Sequence, residues 1–98
     1  MENFKRYSSF IKRIITASEP VRKQLLGSSN SNIIKAICEL LLNVLQKNIV
    51  ASRSVIAKLK KHKRILYILM KEKEDFKRRK EILINNSKIL IALLPLLK

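Results

Sequence analysis

Apolar residues recur at helical spacing along most of this chain. The clearest stripe lies in residues 52–80, where positions three or four apart are occupied by Val55, Leu59, His62, Leu66 and Leu69. At about 100° per residue these positions share one narrow face, which is typical of an amphipathic helix. Lys and Arg occupy the other faces. The pattern therefore predicts a long basic helix that packs along one side only.

Residues 33–50 carry a much wider apolar face. Ala36, Cys38 and Leu42 extend this face nearly all the way round the predicted helix. Such a helix needs partners on more than one side, so we expect it at the centre, with the first and fourth helices packed against it. Asn30 or Ser31 is expected to cap its amino end. The apolar face itself consists of Ile33, Ile34, Ile37, Leu40, Leu41, Val44, Leu45 and Ile49.

Residues 3–17 predict a short amphipathic helix whose cations lie off its apolar face. Ser18 is expected to cap a second helix, with Pro20 in the first turn, where its missing N–H is harmless. Gly27, the sole glycine, is expected to end that helix as its C′ residue. The cations of the first helix are Lys5, Arg6, Lys12 and Arg13.

The acidic residues at 72, 74 and 75 interrupt the basic stripe and predict a kink or a short connection. Asp75 is a candidate cap for a further helix over 76–84, and Ser52 for the basic helix. Residues 89–97 form an apolar tail, and Pro95 limits its helicity. Two interpretations of the tail stay open. It folds back on the central helix, or it docks on a protein partner or a membrane surface.

These segments predict an all-α fold. The chain has 98 residues with one Gly and two Pro, which favours long helices over a turn-rich β fold. We expect a single small domain spanning 1–98, a bundle of four to five helices around the central one. Its parts are the N-terminal helices (1–26), the core helix (33–50), the basic helical region (52–84) and the apolar tail (88–98).

The charge points to a polyanionic partner. The chain carries 22 Lys and Arg residues against 7 Asp and Glu, a formal net charge of +15. Few acidic residues lie at i+3 or i+4 from the cations of 52–80, so most of these cations have no predicted intrahelical partner. An external polyanion would relieve their repulsion. The predicted nucleic-acid-binding residues are Arg53, Lys58, Lys60, Lys61, Lys63, Arg64, Lys71, Lys77, Arg78, Arg79 and Lys80.

The residue types favour backbone contact over base recognition. Lys outnumbers Arg and acts as a point charge that reads little sequence. No aromatic residue lies among the basic positions of 53–64, which disfavours stacking on single-stranded bases. We therefore expect sequence-independent binding, in the first instance to double-stranded DNA, although phosphate contacts of this kind serve RNA as well. The apolar helix and tail keep self-association or a protein partner as the alternative.

The sequence favours a protein without catalytic activity, cofactor or metal. His62 is the only histidine and lies on the apolar stripe, where we expect it to be partly buried. Cys38 is the only cysteine and is expected to be a buried thiol, so no disulfide forms within the chain. No signal peptide is recognised, and the longest uncharged apolar run is far shorter than the about 20 residues of a transmembrane helix. The expected location is intracellular.

The segment IKAICELLLNVLQKNI (34–49), a Ser-capped basic helix and an apolar tail with Pro-Leu-Leu occur here in that order. This order resembles the small basic core-type proteins of Maverick/Polinton elements and adintoviruses, which are similar to the adenovirus core protein of the mu type. The resemblance covers roughly residues 18–97. It implies a virion protein that condenses packaged double-stranded DNA, in the virion or the host nucleus. In this chain Asn85, Asn86 and Ser87 stand where such proteins tend to have Gly-Gly and an aromatic residue.

Overall fold

A computed structural model describes residues 2–46, 51–71 and 75–97. These residues contain no strand and confirm the all-α class. Six α-helices and one 3₁₀ segment are present among them, so the expected number of four to five helices is not confirmed. The helices are α1 (Glu2–Thr16), α2 (Glu19–Gly27), α3 (Ser31–Leu45), α4 (Arg53–Lys60), α5 (Lys63–Lys71) and α6 (Phe76–Asn85), and the 3₁₀ segment is Ser87–Leu97.

Side chains cap three of these helices at their amino ends. The Asn30 carboxamide oxygen accepts from the backbone N–H of Ile33, which resolves the choice between Asn30 and Ser31. Ser52 and Asp75 cap α4 and α6 in the same way, as predicted. Ser18 occupies the N-cap position of α2, but its side chain makes no capping hydrogen bond, so this part of the prediction is wrong.

Gly27 is also differently placed from the prediction. It is the last residue of α2 rather than the residue that follows the helix, and Ser28 is the C-cap. The backbone of Gly27 does not adopt a left-handed φ, and a β-carbon added there would meet no atom within 4 Å. Helix α2 therefore ends without using the conformational freedom that glycine offers.

Helix α3 lies at the centre of the molecule. It packs against α1, α4, α5 and α6, and its apolar side chains are buried around most of the helix. This agrees with the predicted central position, although residues 47–50 of the expected core helix lie outside the described residues. The molecule has principal extents of 31 × 28 × 26 Å. The buried side chains of α3 are Ile33, Ile34, Ala36, Ile37, Cys38, Leu40, Leu41 and Val44.

The predicted long basic helix is divided in two. Helix α4 ends at Lys60, and α5 begins at Lys63. The intervening turn is tightened by a bond from the His62 N–H to the Leu59 carbonyl, three residues back rather than four. The break lets both helices bury an apolar pair towards the core without following one straight axis. These pairs are Val55 and Leu59 in α4, and Leu66 and Leu69 in α5.

The apolar tail is largely part of the core. Within the 3₁₀ segment Ile89, Leu90, Ala92 and Leu93 are buried, whereas Lys88 and Ile91 are exposed. The exposed positions three residues apart match the three residues per turn of a 3₁₀ helix. The segment packs against α1, α2, α4 and α6. The structure thus buries Ile89, Leu90, Ala92 and Leu93 instead of leaving a protruding tail, but the main contacts of the segment are with α1, α2, α4 and α6 and not, as had been expected, with the central helix.

Candidate nucleic-acid interface

Helices α4 and α5 place a row of cations on the outside of the molecule. Because the apolar stripe of each helix faces the core, its Lys and Arg side chains are directed to solvent. Seven of the predicted binding residues lie here, on two consecutive helices joined by a two-residue turn. We call these seven residues the α4–α5 basic face. They are Arg53, Lys58, Lys60, Lys61, Lys63, Arg64 and Lys71, and all are exposed.

Two cations of this face border a shallow cavity on α4. The cavity has a volume of about 230 Å³ and is lined by Arg53, Ile56, Ala57 and Lys60. Arg53 and Lys60 are seven residues apart, so they lie on the same side of the helix about 10 Å apart along its axis. The cavity between the two cations, where Ala57 is small, leaves room for a charged group to approach both of them. This geometry suits oxygens of a phosphate backbone.

The positive charge of the face is not neutralised within the described residues. The ion pairs found there join Lys23 to Glu19 and Arg78 to Glu81, each at 3.7 Å between nitrogen and oxygen, and both pairs are exposed. Neither involves a residue of the α4–α5 basic face. Lys71 instead lies over the ring of Tyr67, with its Nζ 5.4 Å from the ring centroid. The face therefore presents a positive potential to an approaching anion.

The four consecutive cations at 77–80 do not all face solvent. Successive residues of a helix are rotated by about 100°, so four in a row point in all directions. Lys77 and Arg78 are exposed, whereas Arg79 is 7% exposed and Lys80 is half-buried. The Nε of Arg79 donates to the Leu69 carbonyl at 2.9 Å. We therefore correct the predicted placement of Arg79, which the structure removes from the surface.

Lys80 also has contacts within the protein. Its Nζ donates to the carbonyl oxygen of Ser29 at 3.0 Å and lies 5.1 Å from the centroid of the Phe76 ring. Its ammonium group thus links α6 to the connection between α2 and α3. The correction for Arg79 applies to Lys80 as well, because its charge is directed at a carbonyl of the protein.

The bond from Arg79 to Leu69 has a consequence for the exposed cations. It joins the first turn of α6 to the last turn of α5, and these helices pack against each other. Lys77 and Arg78 are in that first turn, and Lys71 is the last residue of α5. The first turn of α6, with exposed Lys77 and with Arg78 paired to Glu81, therefore meets the end of α5 that carries Lys71.

A second group of exposed cations was not included in the predicted site. Lys5, Arg6, Lys12 and Arg13 are all exposed on α1. They form two pairs seven residues apart, so they share one side of the helix. The sequence pattern placed these residues off the apolar face. The signal that would have found them is the repeat of two adjacent cations after seven residues.

An apolar groove adjoins the basic face. It has a volume of about 140 Å³ and lies between α3 and α5. Tyr67 and Met70 border it and are 54% and 42% exposed. Lys63 belongs both to the groove and to the basic face. The other lining residues are Leu42, Leu45, Gln46 and Leu66.

The two residues with the most reactive side chains, Cys38 and His62, lie in different surroundings. Cys38 is buried on α3, and burial raises the pKa of its thiol to about 11, an effect that Arg79 opposes and Glu39 enhances. The thiol is therefore protonated at neutral pH, as expected for a core residue. His62 is half-buried beside a cavity of about 280 Å³ whose other ionisable residues are Glu19 and Lys88. In the described part of the chain no three His, Cys, Asp or Glu residues are grouped to hold a metal ion.

Comparisons with protein-family models, curated proteins and solved structures give no significant match for this chain. The residues and their arrangement are therefore the basis on which a function is proposed. Among the residues that the structure describes, no helix combines the length and the apolar character that crossing a membrane requires.

Proposed function

We propose that this protein binds and condenses double-stranded DNA without regard to sequence and without catalysis, through contacts between Lys and Arg side chains and phosphates. The observation that carries the proposal is the α4–α5 basic face. Its seven cations are exposed, and none forms an ion pair with another described residue. Phosphates would supply the missing negative charge, and the release of counterions from DNA would drive binding.

Sequence-independent binding follows from the kinds of side chain on the face. Five of the seven are Lys, whose ammonium group is a point charge on a flexible stem and discriminates little between bases. Tyr67 is the exposed aromatic residue closest to them in sequence, and Lys71 covers its ring. Stacking of successive bases needs several free aromatic faces, so the phosphate backbone is the better ligand.

The resemblance of residues 18–97 to core-type virion proteins supports the same function. From that resemblance we expect the basic segment to contact packaged DNA and the protein to reside in a virion or the host nucleus. The alternative function, interaction with a protein or a membrane through the apolar tail, has less support because Ile89, Leu90 and Leu93 are buried.

The test is binding of a fluorescein-labelled random 20-base-pair duplex, measured by anisotropy at several salt concentrations. Seven phosphate contacts predict a slope of log K against log salt of about −6. The triple variant Lys58→Gln, Lys60→Gln and Lys61→Gln should bind at least about ten-fold more weakly near 0.1 M salt, with a slope shallower by about 3. The loss should be equal for unrelated sequences.

The matched control removes three exposed cations elsewhere, with Lys23→Gln, Lys35→Gln and Lys88→Gln. Both triple variants have the same net charge. If the control loses as much affinity as the variant of the basic face, only the net charge matters and the proposed interface is wrong. Weak binding by the unaltered protein, with a shallow slope, would refute DNA binding itself.

A further inference from the structure

Helix α1 carries basic side chains on the side that faces away from the core. Its Ile11, Ile14 and Ile15 are buried in the core, whereas two pairs of cations, each spaced by seven residues, are exposed. None of the four forms an ion pair with another described residue. We call these four residues the α1 basic ridge. They are Lys5, Arg6, Lys12 and Arg13.

The helix contacts separate this ridge from the α4–α5 basic face. Helix α1 packs against α2, α3 and the 3₁₀ segment, α4 against α3 and the same 3₁₀ segment, and α5 against α3 and α6, whereas α1 has no substantial contact with α4 or α5. Helix α3 is buried around most of its circumference, so it has room for α1 on one side and for α4 and α5 on another. The two basic surfaces therefore lie on helices that do not pack against each other, in a molecule whose extents are 31 × 28 × 26 Å.

We propose that the α1 basic ridge is a second phosphate-binding surface, so that one protein molecule holds two DNA segments at once. This inference rests on the proposed function, because it gives that function a means of condensation. A protein with a single basic face would neutralise phosphates and coat one duplex. Two separate faces would link duplexes, and each linked segment would then be held at a high effective concentration near the next.

The two surfaces should differ in their affinity for DNA. The ridge has four cations and the α4–α5 basic face has seven. Fewer phosphate contacts give a smaller gain from counterion release. The α4–α5 basic face should therefore dominate binding of a single duplex, and the ridge should matter when a second duplex is bound.

The experiment measures energy transfer between two populations of a random 30-base-pair duplex, one labelled with a donor and the other with an acceptor. The unaltered protein should produce transfer at low salt. The variant Lys5→Gln, Lys12→Gln and Arg13→Gln should bind a single duplex within about two-fold of the unaltered protein but lose at least about ten-fold in linking activity. The control is Lys23→Gln, Lys35→Gln and Lys88→Gln, which removes the same charge and should link duplexes almost normally.

Three outcomes would overturn the inference. Linking by the ridge variant equal to that of the control would show that the ridge is not a second surface. An equal loss of single-duplex binding and linking would show that the ridge belongs to the first binding site. Sedimentation velocity could show that the free protein dimerises and that the variants lose dimerisation and linking together. That result would assign the link to self-association. Failure of the unaltered protein to bind any duplex refutes the proposed function instead, and circular dichroism of each variant excludes loss of fold as the cause.

Discussion

At the scale of single residues, Gly27 is the position where the structure departs most simply from expectation. Glycine is often the residue that follows a helix, because glycine adopts a left-handed φ without steric cost. Here the helix includes Gly27 and no left-handed φ is needed. The sequence contains one glycine next to a polar connector, and nothing in that local pattern tells C′ from the last helical position.

This placement predicts that Gly27→Ala stabilises the fold. The added β-carbon meets no atom within 4 Å, and Ala loses less backbone freedom on folding than Gly does. We expect the free energy of unfolding to rise by about 0.4–1 kcal/mol, measured by urea denaturation. A left-handed Gly27 would give the opposite sign, because a β-carbon there costs about 1–2 kcal/mol. A destabilised variant would therefore contradict the described end of α2.

At the scale of elements, two buried cations and one half-buried cation donate hydrogen bonds to backbone carbonyls at or just beyond the carboxyl ends of helices, and not to carboxylates. Arg79 donates to Leu69 in the last turn of α5, and Lys80 donates to Ser29 just after α2. Arg22, 4% exposed, donates through Nη2 to the carbonyl of Ala17 just after α1. The last carbonyls of a helix have no intrahelical partner and carry partial negative charge. In a chain with only 7 acidic residues these three cations thus donate to its own backbone, while Nε and Nη1 of Arg22 are buried without a hydrogen-bond partner among the described residues.

The neighbours Lys77 and Arg79 allow this structural role to be separated from binding. Arg79→Ala removes a charged hydrogen bond and a buried stem, so we expect a loss of about 2–3 kcal/mol in the free energy of unfolding. Lys77→Ala, at an exposed position, should change stability by less than about 0.5 kcal/mol and should weaken DNA binding. Urea denaturation and duplex anisotropy on both variants check this. The prediction is wrong if Arg79→Ala weakens binding of the folded protein more than Lys77→Ala does.

The helices and their caps were largely predictable from the sequence, because both depend on residues that are close together in the chain. The period of apolar residues located the amphipathic helices. Short-range chemistry identified Ser52 and Asp75 as caps and left Asn30 or Ser31 for α3, where the structure has Asn30. The break at 61–62 was missed because Leu59, His62 and Leu66 continue one helical stripe across it. The break depends on tertiary packing, because both α4 and α5 pack on α3, and the local pattern does not contain that information. The inward direction of Arg79 follows from α6 packing against α5, which a run of four cations does not show.

At the scale of the whole molecule, the formal net charge of +15 acts against the compact state. The Debye length falls from about 20 Å near 20 mM salt to about 6 Å near 0.3 M. The molecule spans 26–31 Å, so its cations repel one another across the whole structure at the lower concentration and only locally at the higher one. Since few ion pairs exist among the described residues to be weakened by salt, screening of repulsion should dominate.

We therefore expect potassium chloride to stabilise the fold while it weakens binding to DNA. Raising salt from about 20 mM to about 0.3 M should raise Tm by several degrees, on the order of 5 °C for about 1 kcal/mol. The Lys23→Gln, Lys35→Gln and Lys88→Gln control, with three cations fewer, should show a smaller rise. A Tm that falls with salt would mean that ion pairs outweigh repulsion.

DNA supplies negative charge most effectively at low salt, so a duplex should raise Tm most at the salt concentration where the free protein is least stable. Thermal scans with and without DNA measure this opposite dependence of the two Tm values on salt.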